Sequence, residues 1–191
     1  MDALSVIKNR RTIRFFKQTA ISKEEITTLI DYARMASSAA NAQRLRYTAI
    51  TSLPLVEEIF NLTAYAGHVT PRRTPIWGKN APLTFIAITG PADAGPTLYA
   101  DCGAAIENLQ LAAWEMGIGC CWIGSFNKAE AEKLIKTPLG SEILYLVAIG
   151  YPDECPTSCD IDEKDDTKYY LTSDDTLVVP KIKAEGLLKW L

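Results

Sequence analysis

The sequence predicts one α+β domain over residues 1–191, and three observations carry that expectation. A chain of 191 residues can bury one sizeable core but falls short of two typical domains. Hydrophobic residues at 48% and charged residues at 23% are ordinary for a globular chain, which excludes disordered, collagen-like and repeat-fibre classes. Helical and strand patterns mix without a strict βαβ order, an internal repeat or a low-complexity segment.

Residues 8–17 come first. Lys8, Arg10, Arg11, Arg14 and Lys17 place five positive charges and no acid in a chain of net charge −3. That net charge argues against a dedicated nucleic-acid binder unless the cations are segregated, and here they are. Arg10 and Arg14 are four apart and Arg11 and Arg14 three apart, so a helical turn would set them on one face, where like charges repel unless an anion bridges them. Guanidinium forks suit phosphate oxygens, and Thr12 adds a hydroxyl donor. The alternative is a solvated basic helix end, but the interleaved Ile13, Phe15 and Phe16 point to a packed site.

Ser22 and Glu25 spell a capping box, with Ile21 and Ile26 in the staple positions, so a helix starts there. Ile26, Leu29, Ile30, Ala33 and Met35-Ala36 keep helical spacing until the small polar stretch at 37–41. Ser38, Asn41 and Gln43 in that loop can hydrogen-bond a ligand or serve turn geometry. Arg46 to Thr51 reads as a short strand. Prolines and glycines across 65–82 predict a long irregular loop, with its only histidine, His68, exposed. Arg72 and Arg73 in it read as solvated cations, or as readers of an anionic substrate or of nicotinamide-donor phosphates.

Leu83 to Thr89 is apolar at odd and even positions alike, the mark of a strand buried on both faces, closed by Gly90-Pro91. From Thr97 to Met116 small and apolar residues cover more than one helical face, so this helix is expected to be buried nearly all round, in the centre or at a subunit interface; Gly117 closes it. Cys120 to Ile123 makes a strand, Asn127 caps a short helix ending near Ile135, and Ile143 to Ile149 makes another strand. That brings the strands between 46 and 149 to about four. Between strand and helix, Ile123-Gly124-Ser125 after Trp122 offers a ligand close approach to backbone N–H groups. The glycines at 117 and 119 follow a helix rather than a strand and make no dinucleotide fingerprint. Residues 153–166, with seven acids and one base, read as a solvated loop, and order resumes from Leu177 to Leu191.

No apolar run is long enough to span a bilayer, since Glu107 and Glu115 interrupt the most apolar region. The N-terminus shows no secretory pattern, and five cysteines fit reduced thiols better than a disulfide framework, so a cytoplasmic protein is expected. The cysteine spacing matches no zinc pattern, and no metal site is expected.

Taken in order, Arg10-Arg11-Thr12-x-Arg14, Ser38-x-x-Asn41-x-Gln43, the Ala-rich helix from about 97 and Trp122-Ile123-Gly124-x-Phe126 resemble the FMN-dependent nitroreductase family. The resemblance runs from about residue 5 to Val179-Pro180-Lys181, and Gly150-Tyr151-Pro152 shares it. It implies a nitroreductase-like fold, a central mixed or antiparallel sheet flanked by helices, in an intertwined homodimer with FMN at the interface. On that resemblance Arg10, Arg11 and Thr12 would hold the FMN phosphate, and Arg14 would reach the pyrimidine edge near N1 and O2. Ser38 and Asn41, in the loop shared with Gln43, would contact the flavin in part from the partner subunit. The Gly124 N–H, between Ile123 and Ser125, would donate to N5, and Lys181 with Lys183 would complete the phosphate site. Two departures from the family pattern stand out: Arg44-Leu45 stands where Pro-Trp is usual, and Ser37 where proline is common.

The implied activity is transfer of hydride from NAD(P)H and reduction of a nitro, quinone or enone-type acceptor in a ping-pong cycle. A cation beside N1 and O2 stabilises the anionic reduced ring, so positioning and electrostatics are the protein's part and no catalytic triad is needed. The alternatives are a flavin-binding sensor or store without physiological turnover, and thiol redox chemistry at Cys120-Cys121 or Cys155 and Cys159, where core packing is the simpler role for the adjacent pair.

Overall fold

Four strands make the central sheet, β1 (Arg46–Ile50), β2 (Thr84–Pro91), β3 (Gly119–Ile123) and β4 (Ser141–Gly150), in the order β1-β2-β4-β3 with every neighbouring pair antiparallel. The computed structural model describes residues 2–69 and 72–191; Met1 and, within the expected 65–82 loop, Thr70 and Pro71 lie outside it. Strand β2 is buried on both faces, as its continuous apolar run predicts, and it continues through Gly90 and Pro91 rather than ending before them. Its alternate residues divide between two cores: Ile86 and Ile88 join one, Phe85 and Ala87 the other.

Helices cover both faces. The capping box at Ser22 is formed, Ser22 Oγ accepting from Glu25 N at 3.1 Å and Glu25 Oε2 from Ser22 N at 2.8 Å. It opens α2 (Lys23–Ala33), which shares the first core with α4 (Pro96–Glu115). Gly117, at φ 74°, ends α4 in the left-handed conformation that closes helices. The second core lies under α3 (Leu53–Asn61) and α5 (Lys128–Leu134), the latter capped by Asn127 as expected. Helix α3 has no counterpart in the sequence analysis, although Leu55, Val56, Ile59 and Phe60 keep helical spacing along it and join the second core.

Three expectations change. Helix α1 (Ala3–Asn9) stops before the arginines, and Arg10 is already extended at φ −57° and ψ 131°. Arg10 to Phe16 therefore runs as extended chain beside β3, with Thr12 bridged to Cys120, because Ile13 and Phe16 go into the core. The acidic stretch 153–166 contains β5 (Thr157–Ile161), parallel to β7 (Leu177–Ile182), which β6 (Tyr170–Leu171) flanks. The acids of β5 and the turn after it face solvent, while Cys159 and Ile161 are half-buried, so charge masks a strand at the edge of this small sheet. Within one chain α4 buries Leu98, Cys102, Ala105, Ile106, Leu109 and Ala113, while Gly103, Ala104, Asn108, Leu111 and Ala112 stay half-covered rather than enclosed. The chain ends with the short helix α6 (Ala184–Leu187).

Candidate functional site

The extended arginine segment lies against the sheet because two glycines let it approach. A Cβ on Gly119 would stand 2.7 Å from Ile13 Cβ, and one on Gly150 would stand 2.8 Å from a Phe16 ring carbon. Ile13 N donates to Cys120 O at 2.9 Å and Phe16 N to Asn80 O at 2.9 Å. The N–H groups of Arg14 and Phe15 turn to a side chain instead: Glu154 Oε1 accepts both, the second at 3.1 Å. Glu154 Oε2 accepts from Arg73 Nη1 at 3.3 Å, and the two side chains are only 4% and 8% exposed. Arg73 also donates to Asp175 O and lies 5.0 Å from the centre of the Phe15 ring. A solvated loop cation was the expectation for Arg73; it is a buried brace, while Arg72 pairs with Asp175 at the surface.

With the segment fixed, its cations converge. Arg10, Arg11, Thr12, Arg14, Tyr169, Val179 and Lys181 line a cavity of about 190 Å³. Strand register explains the far wall: Ser158 opposes Val179 and Asp160 opposes Lys181, and Ser158 Oγ accepts from Arg11. Arg14 is held over the Tyr169 ring, 5.1 Å from its centre. Arg10 Nε lies 3.4 Å from Glu107 on α4 without hydrogen-bond geometry. Among the described residues, Arg11, Arg14 and Lys181 take no part in an ion pair. Burial first, then the neighbouring Arg10 charge, pull the Arg11 pKa below the ordinary guanidinium range. The Nε atoms of Arg10 and Arg11 are buried without a hydrogen-bond partner. Crowded, desolvated guanidinium groups of this kind are relieved by a multivalent oxyanion.

The other expected residues lie elsewhere. Ser38, Asn41 and Gln43 belong to a loop packed on α4, where Gln43 N donates to Ser38 Oγ at 3.3 Å and Gln43 Nε2 to Asn41 Oδ1 at 3.2 Å. Ile123 is a core residue, so only its backbone can serve a ligand, whereas Gly124 and Ser125 are exposed at the end of β3. Behind that end stand Tyr145, 3.4 Å from a Cβ built on Gly124, and Trp122, packed edge-on against the Tyr145 ring at 5.0 Å. Lys183 is not in the cavity: it caps α6, and its ammonium pairs with Asp162 at 2.9 Å. His68 is exposed, its ring 4.9 Å from that of Tyr169. Cys120 and Cys121 are buried, and burial pushes the Cys121 thiol up to about 11, which leaves both as packing groups.

Tyr169, Glu154 and Asp101, whose Oδ1 accepts from Ala39 N at 2.9 Å, have no role in the sequence analysis, and Arg73 has a different one there. Each works through a partner distant in the chain, so no local spacing announces it; an aromatic pair in a polar stretch was the one visible trace of Tyr169.

Comparison with known proteins matches these features to a family. Residues 7–151 match the nitroreductase family. A protein of Archaeoglobus fulgidus, provisionally named an NADH dehydrogenase/NAD(P)H nitroreductase, is 28% identical over 163 residues, 80% of this chain and 87% of its own. The NADPH-flavin oxidoreductase of Vibrio harveyi is 24% identical, covering 81% of this chain and 68% of its own. Among solved structures, a nitroreductase family protein from Clostridium novyi NT superposes with a TM-score of 0.69 at 26% identity, over 80% of this chain and 86% of that one. The match takes in the arginine segment, the whole central sheet and the glycine end of β3, and on that extent the chain belongs to the nitroreductase family.

Proposed function

We propose that the chain is an FMN-dependent NAD(P)H oxidoreductase that reduces a nitro, quinone or enone-type acceptor in alternating half-reactions, and that it works as a homodimer in the cytoplasm. The single observation that carries this reading is the cavity in which Arg10, Arg11, Thr12, Arg14 and Lys181 meet. The donor set fits a phosphomonoester: a dianion with three oxygens answers crowded cations of which Arg11, Arg14 and Lys181 have no carboxylate partner among the described residues, with Thr12 supplying a hydroxyl. FMN, when bound, supplies the hydride and electron chemistry.

The chain's own residues do the rest. Arg10, Arg11, Thr12 and Lys181 would hold the phosphate. Arg14, set by Glu154 and steadied by Tyr169, would bring a fixed positive charge to the electron-rich edge of the ring, where it favours the reduced form. Gly124 would offer a backbone donor from an exposed strand end. Ser38, Asn41 and Gln43 would meet the ring from the second subunit. Asp101, which holds their loop, and Glu107, which meets Arg10, are six residues apart on α4, so they sit roughly 120° apart around the helix and about 9 Å along it. That divergence suits a helix at a dimer interface, with its half-covered small residues facing the partner. The free cysteines suit a reducing compartment, and no described helix is long and apolar enough to cross a membrane.

The test is the purified protein itself. A yellow protein that releases FMN on denaturation, bleaches with NADH or NADPH and regains its colour with a quinone or nitroaromatic is the expected result. A colourless protein that leaves added FMN fluorescence unquenched overturns the reading, and a yellow protein inert to both donors reduces it to flavin storage.

A further inference from the structure

The loop carrying Ser38, Asn41 and Gln43 is closed within itself by Asn41 N donating to Ser38 O at 2.9 Å and Ala42 N to Ala39 O at 3.0 Å, yet its backbone is unusual. Ala40, Asn41 and Gln43 have φ of 51°, 52° and 47°, three left-handed non-glycine residues within four positions. Such conformations persist only where the surroundings over-determine them. Arg46 Nη1 donates to Gln43 O at 2.9 Å, and one carboxylate ties the loop to α4. Asp101, on α4, is 7% exposed in its side chain, and its two oxygens take the two ends of the loop. Oδ1 accepts from Ala39 N at 2.9 Å, and Oδ2 meets Arg44 Nη2 at 3.4 Å. Arg44 is fixed in turn, Nη2 donating to Thr97 Oγ1 at 3.1 Å and Nη1 to Ala94 O at 3.5 Å.

A carboxylate taken out of water beside an apolar helix face is costly unless it is paired and hydrogen-bonded, so removing either partner exposes the penalty of the other. Arg44 stands where the family pattern usually has proline. A proline stiffens a loop through its fixed φ and can tie it to nothing; an arginine ties the loop to the helix. The loop also walls a cavity of about 270 Å³ with Tyr47, Asp101 and Ala105, so its release would reshape that pocket too.

We propose that Asp101 and Arg44 are positioning residues, a clamp built on a buried carboxylate that holds the Ser38–Gln43 loop in the shape that meets FMN. This rests on the FMN reading above. The clamp touches no cofactor; it acts through the backbone N–H of Ala39 and the conformation of Asn41 and Gln43.

The experiment is the FMN dissociation constant, read from quenching of flavin fluorescence, for the wild type, D101N, R44M, R44K and the double variant D101N/R44M. The urea midpoint of each chain without FMN is read beside it. D101N keeps an acceptor for Ala39 N, and R44M keeps the apolar stem, so one survives if the other folds poorly. Each single variant is expected to bind FMN about tenfold more weakly or worse, the loss of one charge-assisted hydrogen bond. The double variant should fall no further than the weaker single one, because the pair is one device, and R44K should regain most of the affinity. FMN affinity within twofold of wild type in both D101N and R44M, with only the urea midpoint moved, overturns the clamp and leaves a structural ion pair. A wild type that binds no FMN overturns the reading beneath it, and that result is read on the wild type alone.

Discussion

Replacing Glu154 by alanine tests how the arginine segment is held. The Glu154 side chain is 4% exposed, and it accepts from two backbone N–H groups and from a guanidinium that is itself 8% exposed. Removing one partner of a buried ion pair costs about 3–5 kcal/mol, because the other charge stays buried. The orphaned N–H groups of Arg14 and Phe15 would add about 1–3 kcal/mol each if water could not reach them, but these terms overlap in one site. The half-exposed Asp175 carboxylate, 3.7 Å from Arg73, offsets part of the loss. We expect about 4 kcal/mol in all, a large share of a total stability of about 5–15 kcal/mol, and a fall in melting temperature of about 12 °C for a chain of this length. Glu154→Gln keeps an acceptor for both N–H groups and loses only the charge, so it should cost about half as much. Urea unfolding of the three chains without FMN measures both differences. A Glu154→Ala variant within about 0.5 kcal/mol of wild type would refute the claim that this carboxylate holds the segment, since ordinary surface substitutions move stability by no more.

Four further outcomes follow from the same geometry. Gly119→Ala puts a Cβ 2.7 Å from Ile13 Cβ, which no rotamer change relieves, so it should displace the arginine segment and lower both stability and FMN affinity, whereas Gly140→Ala, with open space around its Cβ, should leave FMN affinity alone. Arg14→Ala should weaken FMN by about tenfold or more and lower its reduction potential; unchanged values of both would remove Arg14 from the site. Ser22 N–H and then the Tyr151 hydroxyl hold the Glu25 carboxyl below its ordinary range, so its contribution is full above the unfolded pKa of about 4.3 and is lost as pH falls through the lower folded value; the stability gap between wild type and Glu25→Gln should therefore shrink below about pH 4 in denaturation measured across pH 3 to 6. A thiol reagent at pH 8 should label Cys155 and Cys159 in the native chain and all five cysteines in urea, because burial keeps Cys102, Cys120 and Cys121 neutral and shielded, with Cys102 pushed up to about 12.

Where a residue's structural role is set by near neighbours in the chain, the sequence shows it. Ser22 and Glu25 are three apart, and their reciprocal bonds are those the spacing implies. Leu83 to Thr89 reads as a doubly buried strand because helices cover both faces of β2, leaving no polar alternation to hide it. The same logic explains the misreadings. Arg10, Arg11 and Arg14 converge on one cavity, but spacings of three and four fit an extended, bridged segment as well as a helical turn, and charge alone cannot choose. Of the acids in 153–166, Asp160 is exposed on β5 and Glu154 is buried against the arginine segment, and composition averages both with the half-buried Cys159 and Ile161. Glu154 and Arg73 are 81 positions apart, and Asp101 and Arg44 are 57, so neither pair leaves a local pattern. Arg44 was visible only as a departure from a family motif, and its partner was hidden among the small apolar residues of α4.

Those two pairs solve one physical problem twice. Segments 10–16 and 38–44 are irregular, so some of their N–H groups have no ladder partner, and an unpaired buried N–H is costly. In each case a buried carboxylate takes backbone N–H with one oxygen, two groups for Glu154 and one for Asp101, and an arginine with the other: Glu154 with Arg73, Asp101 with Arg44. The neutralising arginines lie outside the cationic cavity, which matters for what the cavity can do. Had Glu154 drawn on Arg14, whose own backbone it holds, a buried carboxylate would have cancelled one of the cavity's charges. Because Arg73 meets it instead, Arg11, Arg14 and Lys181 stay free of carboxylate partners around about 190 Å³. The internal salt bridges thus set the geometry of the cavity while leaving its positive charge uncancelled, as the proposed phosphate site requires.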